Sequence, residues 1–236
     1  GKIDALIKKY NLDENTVFIF TSEQGHQFPF AKWTCYDAGV HSACIVRWPG
    51  VVKPGSVSDA LVEYVDIVPT FVDIAGGKPQ TRVDGESFKS VLTGKKKEHK
   101  KYSFSLQTSR GINKGPEYYG IRSAHDGRYR YIVNLTPEAT FQNAMTATPL
   151  FKEWEQLAET DAHAKAMTFK YQHRPAIELY DVRNDPFCMN NLAGNTKYSN
   201  IIIRLDAELK KWMKACGDEG QATEMRAFDH MPSKQK

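Results

Sequence analysis

The sequence has little of three features that would assign it to a class of protein at once. Its longest apolar segment, ALVEYVDIVPTFVDIAGG (60–77), is interrupted by Glu63, Asp66 and Asp73. It therefore falls short of the ~20 uninterrupted apolar residues of a membrane-spanning helix. Basic residues (32) exceed acidic residues (28) only slightly, which is too small an excess to argue for a nucleic-acid partner. We therefore expect neither a membrane span nor nucleic-acid binding.

Cysteine is also scarce, and the few cysteines lie far apart without a CxxC pair. Such spacing predicts neither a disulfide framework nor a zinc site. The four positions are Cys35, Cys44, Cys188 and Cys216. Hydrophobic residues make up 41% and charged residues 25%, which is ordinary for a globular protein. With 236 residues, the chain can bury a sizeable core in one large or two small domains.

The N-terminal part follows the order of an α/β fold. Apolar residues near positions 3–10 have the spacing of a helix that ends near Asn11. Residues 16–21 form a short apolar run suited to a strand buried on both faces, and 43–48 form a second strand. A helix is predicted over 60–76, capped by Ser58 or Asp59, kinked or broken at Pro69 and ended by the glycines that follow.

Composition shifts after residue 95 towards strands that favour an antiparallel sheet. The predicted strands cover 102–107, 118–124, 129–135 and 176–182. Asp126-Gly127 tolerates positive φ and predicts a hairpin turn between the second and third of them. A final helix is predicted over 197–215, followed by a loose polar tail.

The predicted domains are therefore an α/β portion over 1–95, an antiparallel-sheet subdomain with a closing helix over 96–220, and a polar tail over 221–236. The α/β portion is short of strands, because a sheet usually has ~4–6 of them and only two are predicted here.

The first predicted strand runs directly into polar residues. In open α/β sheets, ligands bind beyond the carboxyl ends of the strands. Glu23 and Gln24 lie at such an end, and their carboxylate and amide oxygens suit Ca²⁺ or Mg²⁺. Two ligands cannot satisfy Ca²⁺, which takes 6–8 oxygens, so other segments must contribute. The alternative is that residues 22–25 form an ordinary polar turn.

A lysine and a histidine follow within the same stretch, GHQFPFAKW. The ammonium group of Lys32 suits a tetrahedral oxyanion such as sulfate or phosphate near a bound cation. Alternatively, Lys32 is a surface lysine with its stem over Trp33. His26 is a candidate substrate contact because it follows the ligand pair, and the alternative is a plain loop histidine.

Several segments, in the same order, resemble the C-terminal half of type I sulfatases of the alkaline-phosphatase-like superfamily. They are NTVFIFTSEQG, KW, YDAG, CIVRWPGVVKPGSVSDALVEYVDIVPTFVDIAGG and IELYDVRNDPFCMNNLAG. GHQFPFAK, IRSAHDGRYRYIVNL and TFQNAM are most similar to the N-sulfoglucosamine sulfohydrolase branch. The resemblance implies the C-terminal part of that α/β fold, followed by a small antiparallel α+β subdomain.

The resemblance also implies roles for the strand-end residues. Glu23 and Gln24 match the pair that binds Ca²⁺ in the family, where Asp followed by Asn or His is usual, and each is one methylene longer. Lys32 matches the basic residue that contacts the sulfate group. Asp37 and Gly39 fit the family's next motif loosely, whereas His41 and Ala43 replace its Arg and Pro, so no role is carried onto those positions.

The family reaction needs a formylglycine made from a C-x-[PA]-x-R motif, and none of the four cysteine contexts here fits it. The resemblance implies that the nucleophile and the remaining Ca²⁺ ligands come from an N-terminal half, so this chain alone should be inactive. It also implies a sulfated saccharide substrate and a periplasmic, secreted or lysosomal location. A phosphodiesterase or phosphatase-like relative and a non-catalytic glycan-binding module derived from the fold remain as alternatives.

Overall fold

A computed structural model describes residues 1–78, 81–108, 119–226 and 229. The chain divides into two compact units, the first formed by Gly1–Glu23 and Ser42–Ser103 and the second by Gln24–His41 and Phe104–Lys236. The helices are α1 (Lys2–Lys9), α2 (Asp37–Val40), α3 (Ile67–Ile74), α4 (Lys89–Leu92), α5 (Pro149–Leu157), α6 (Ala162–Gln172), α7 (Ser199–Ala215) and α8 (Gln221–Met225). The strands are β1 (Phe18–Thr21), β2 (Cys44–Arg47), β3 (Ser103–Gln107), β4 (Ile121–His125), β5 (Tyr129–Asn134) and β6 (Ile177–Asp181).

The first unit contains the predicted N-terminal helix and both predicted strands. β1 pairs antiparallel with β2, with Thr21 opposite Cys44. The expectation that the first strand is buried on both faces is wrong in this structure, because Phe20 on β1 is 51% exposed and Ile45 on β2 is 60% exposed. In the described chain the two strands pair only with each other, so β1 is an edge strand of a two-stranded sheet and not an inner strand of a larger one.

The predicted helix over 60–76 begins later than expected. A 3-10 turn (Tyr64–Asp66) leads into α3, and a capping box formed by Glu63 and Asp66 replaces the expected cap at Ser58 or Asp59. Pro69 does not kink the helix, because it lies in the first turn, where its missing N–H has no intrahelical partner to lose. Gly76 follows the helix at φ +75°, as a terminating glycine should.

The side chain of Asp66 holds this part of the first unit together. Its carboxylate is fully buried and accepts hydrogen bonds from the backbone N–H groups of Glu63 (2.8 Å) and Glu86 (2.9 Å). Lys100 Nζ lies 2.7 Å from Asp66 Oδ1, and His99 Nε2 lies 3.3 Å from Oδ2. The buried charge is thus paired and hydrogen-bonded, as burial of a carboxylate requires.

The second unit is built on a four-stranded sheet in the order β3-β4-β5-β6, with β4, β5 and β6 antiparallel. The predicted strands are confirmed to within a few residues, except that Tyr118 lies outside the described residues. Gly127 adopts φ +89° in the turn between β4 and β5, which confirms the predicted hairpin. The predicted closing helix is confirmed as a 3-10 turn (Thr196–Tyr198) leading into α7.

The expectation of a loose tail after Cys216 is wrong for residues 221–226. α8 forms there, and the side chain of Glu224 is buried and lies 2.8 Å from Arg122 Nη2 on β4. An ion pair with a residue far away in sequence is invisible to local composition, which shows only a polar segment.

All four cysteines are free thiols; Cys35 and Cys188 are buried, and Cys44 and Cys216 are exposed. Among residues 1–78, 81–108, 119–226 and 229, no helix combines the length and the apolar character needed to cross a membrane.

Candidate functional site

The two candidate metal ligands follow β1, which ends at Thr21. Glu23 is exposed and belongs to the first compact unit, whereas Gln24 is partly buried and begins the part of the second unit that runs to His41. The structure therefore groups Gln24 with His26 and Lys32 in one loop of the second unit. We call residues 24–41 the Lys32 loop.

Ser22, the first polar residue after β1, has a structural use of its own. Its backbone N–H donates to Ala43 O (3.2 Å), and its Oγ accepts from Ala43 N (3.0 Å). This double contact extends the β1–β2 pairing by one position. The hydroxyl at this point is therefore occupied in finishing the strand pair.

The Lys32 loop is closed by its own backbone. Gly25 N–H donates to Gly39 O at 3.0 Å, so the two ends of the loop meet. A Cβ at Gly25 would lie 1.7 Å from Ala38 O, and one at Gly39 would lie 2.3 Å from Ala31 O. Only glycine fits at these two positions, because any other side chain would place its Cβ too close to a backbone oxygen.

Lys32 lies between two residues in an unusual backbone conformation. Phe30 has φ +62° and Trp33 has φ +65°, and bulky residues rarely adopt this left-handed region. The backbone N–H of Lys32 donates to His26 O (3.0 Å), and its Nζ lies 5.1 Å from the centre of the Trp33 ring. This last contact agrees with the alternative of a lysine stem over Trp33. Lys32 as a whole is partly buried.

His26 is exposed, and its ring makes an edge contact with Phe28 at 5.3 Å between ring centres. Its carbonyl oxygen accepts from both Phe28 N and Lys32 N at 3.0 Å. The backbone of His26 thus shapes the turn that carries Lys32, and its imidazole faces outward.

Two buried side chains fasten the Lys32 loop to the sheet. Asp37 Oδ1 accepts from Arg130 Nη2 on β5 at 2.7 Å, and Tyr36 Oη donates to Glu178 Oε2 on β6 at 2.9 Å. Although burial raises the pKa of Asp37, hydrogen bonds from His41 and Arg130 hold it at about 2. The pKa of His41 is raised in turn by its hydrogen bond to Asp37.

These fastening residues were missed by sequence reasoning. Asp37 was assigned no role, and neither Arg130 nor Glu178 was singled out. A signal existed for two of them, because Arg130 and Glu178 are charged residues inside the strand-like runs YRYIVN and IELYD. A charge in a buried strand calls for a partner, but the sequence does not say which.

Within the part of the chain that the structure describes, no three His, Cys, Asp or Glu side chains come close enough to hold a metal ion together. The oxygen donors of Glu23 and Gln24 are of the type that Ca²⁺ takes, and they cover only part of its 6–8 coordination positions.

The family described as "N-sulphoglucosamine sulphohydrolase, C-terminal" matches residues 25–142, which is half of the chain. Among curated relatives, an ulvan-active sulfatase of Formosa agariphila is 37% identical over 207 residues, covering 88% of this chain and 39% of the relative. The human N-sulphoglucosamine sulphohydrolase is 28% identical over 215 residues, covering 84% of this chain and 41% of the relative. The chain thus spans about two fifths of the length of these relatives.

Among solved structures, that of BT4656 in complex with its substrate D-glucosamine-2-N,6-O-disulfate superimposes with a TM-score of 0.65. The two chains are 22% identical, and the match covers 100% of this chain and 39% of the other. At this identity the likeness concerns the fold, and it agrees with the predicted fold class.

Proposed function

Because the chain belongs to the N-sulphoglucosamine sulphohydrolase C-terminal family, we propose that it is the C-terminal part of a sulfatase acting on sulfated glycans. The reaction is hydrolysis of a sulfate ester or an N-sulfate group. Lys32 is the residue of this chain that binds the sulfate and steadies the leaving group.

The observation that carries this proposal is the presentation of Lys32. The family match covers Lys32, and the structure places it in a closed loop between two residues with positive φ. Backbone strain of this kind costs about 1–3 kcal/mol per residue and concentrates at functional sites. An ammonium group in a fixed position can neutralise the charge that develops on a sulfate oxygen during hydrolysis.

Ca²⁺ fits the donor chemistry of Glu23 and Gln24, whose oxygens would occupy part of its coordination sphere. The ion, when bound, polarises a sulfate oxygen as a Lewis acid. The remaining ligands and the formylglycine are expected from the N-terminal half of the same protein, which is the partner that we propose for this chain. His26 is proposed as a substrate contact because its imidazole is exposed beside the turn that carries Lys32.

The names of the relatives support a sulfated sugar as substrate. One is called ulvan-active, one is an N-sulphoglucosamine sulphohydrolase, and the BT4656 complex contains a glucosamine disulfate. We propose a heparan-type or related sulfated saccharide, and a site of action in the periplasm, in secretions or in lysosomes.

The test is sulfate release by the longer protein that contains this chain, assayed with glucosamine N-sulfate, glucosamine 6-sulfate and an aryl phosphate. Lys32→Ala should lower kcat/KM on the sulfated sugar by about 100-fold, as removal of one charge-stabilising group does. Lys152→Ala is the control, because Lys152 lies exposed on α5 in an ion pair with Glu155.

Equal turnover by wild type and Lys32→Ala would overturn the role of Lys32. Turnover of the phosphate alone would support a phosphatase-like enzyme instead. Saccharide binding without any turnover would support the non-catalytic binding module.

A further inference from the structure

We propose that Arg130 and Glu178 are positioning residues, which hold the Lys32 loop in its sulfate-binding conformation through Asp37 and Tyr36. This inference rests on the proposed function and adds to it, because neither residue belongs to the candidate site itself. The structure supports it with three contacts within the second unit.

The first contact is the ion pair between Arg130 and Asp37. Arg130 lies in the middle of the sheet on β5, paired on both sides by β4 and β6. Its side chain is 5% exposed and that of Asp37 is 13% exposed, so solvent screens the 2.7 Å pair weakly. The pair therefore ties α2, at the end of the Lys32 loop, to a strand that is hydrogen-bonded to a neighbour on both sides.

The second contact is the hydrogen bond from Tyr36 to Glu178. The carboxylate of Glu178 is buried and also accepts from Tyr180 Oη (2.5 Å) and Asn134 Nδ2 (2.8 Å). Besides Tyr36, two further donors hold the Glu178 carboxylate in one orientation, so the acceptor for the Tyr36 hydroxyl is fixed in position. Burial raises the pKa of Tyr36, which keeps its hydroxyl protonated as the donor.

The third contact is aromatic and lies next to Lys32. The ring of Phe30 packs at 5.7 Å from Tyr36 and at 5.0 Å from Tyr171, measured between ring centres. Lys170 on α6 places its Nζ 5.7 Å from the centre of the Phe30 ring. Phe30 is thus held in place just before Lys32, and Tyr36 links its packing to the hydrogen bond with Glu178.

These contacts explain how the loop can keep a conformation that its residues disfavour. Phe30 and Trp33 would leave the left-handed region if the loop were free, because Cβ clashes with the backbone there. A strained conformation persists only when the surroundings impose it. Loss of the Arg130 or Glu178 contact should therefore let the loop relax and move Lys32 away from the sulfate.

A general contribution to stability is the competing explanation, and a matched arginine separates the two. Arg122 on the neighbouring strand β4 is as buried as Arg130 and is also ion-paired, but its partners are Asp218 and Glu224. Arg122→Met should weaken the fold without touching the Lys32 loop. Arg130→Met should loosen the Lys32 loop. Arg130→Lys keeps the positive charge and should therefore remain closer to wild type than Arg130→Met.

The experiment combines amide hydrogen exchange with kinetics. In the full chain under native conditions, Arg130→Met and Tyr36→Phe should raise exchange of peptides covering 26–37 about tenfold, and Arg122→Met should not. In the longer protein, Arg130→Met should lower kcat at least about tenfold, because a small displacement of a positioned group has a cost of this order. Arg122→Met should leave kcat within about twofold at a temperature where it remains folded.

Equal changes in loop exchange for Arg130→Met and Arg122→Met would overturn the positioning role. An unchanged kcat in Arg130→Met would also overturn it while the proposed function stands. A wild-type protein without sulfatase activity would overturn the proposed function, whereas the exchange data would still decide whether Arg130 holds the loop.

Discussion

Arg122 on β4 and Glu224 on α8 form a buried ion pair at 2.8 Å, with both side chains no more than 3% exposed. Asp218 completes the arrangement through Arg122 Nε at 2.5 Å. A segment that reads as a polar tail is therefore part of the folded second unit. Removing one member would leave a charge buried without its partner.

Replacement of Arg122 by Met should destabilise the protein by about 3 kcal/mol, because two buried carboxylates lose their counterion. Urea unfolding followed by circular dichroism measures the change. Arg226→Met is the control, since Arg226 pairs with Glu219 on the surface and should contribute little. Equal midpoints for wild type and Arg122→Met would contradict the assigned role.

Because of His125, the free energy of unfolding should decrease as the pH is lowered from 6.5 to 4. Burial lowers its pKa to about 4, and the positive charge of Arg130 acts in the same direction. The unfolded chain then takes up a proton in this range that the folded chain does not, so folding loses about 3 kcal/mol as the pH falls to 4. Unfolding at a series of pH values should show this loss in wild type and a smaller loss in His125→Gln. Parallel pH profiles would refute the prediction.

Asp37 should make the stability of the protein depend on pH in a lower range than His125 does. Its folded pKa of about 2 lies below the ordinary aspartate value of 3.8, so the stability it provides is present above pH 4 and is lost towards pH 2. The shift corresponds to about 2 kcal/mol. Asp37→Asn should be less stable at pH 6 because Arg130 loses its charged partner, and its stability should change less than that of wild type from pH 4 to pH 2. Chemical denaturation of both proteins across this range tests the window.

Gly25→Ala should destabilise the protein by about 2 kcal/mol or more, because its Cβ would overlap Ala38 O and force the Lys32 loop to open. Gly194→Ala is the matched control, since among the described residues no atom beyond its two chain neighbours would lie within 4 Å of the added Cβ. Thermal unfolding should show a lower midpoint for Gly25→Ala and little change for Gly194→Ala. A tolerated alanine at position 25 would mean that the loop closes in another way.

Much of the secondary structure was predictable from local sequence. The apolar periodicity of α7, the apolar and aromatic composition of β5 and the Asp126-Gly127 turn each depend on residues a few positions apart. The position of Lys32 after a strand and a glycine was visible in the same way. The assignment of Glu23 and Gln24 to Ca²⁺ stays a prediction, because it depends on ligands beyond these two residues.

The sequence by itself determined the order of the strands, the helices near 3–10, 60–76 and 197–215, the fold class and the loop in which Lys32 lies, whereas α2, α4, α5, α6 and α8 were not predicted. Only the tertiary structure decided how that loop is held. Asp37 and Arg130 are 93 positions apart, and Tyr36 and Glu178 are 142 positions apart. Periodicity records which face of an element is apolar, but it carries no information about which distant charge or hydroxyl will meet it. That pairing is selected by the geometry of the assembled sheet, where each buried polar group must find a partner.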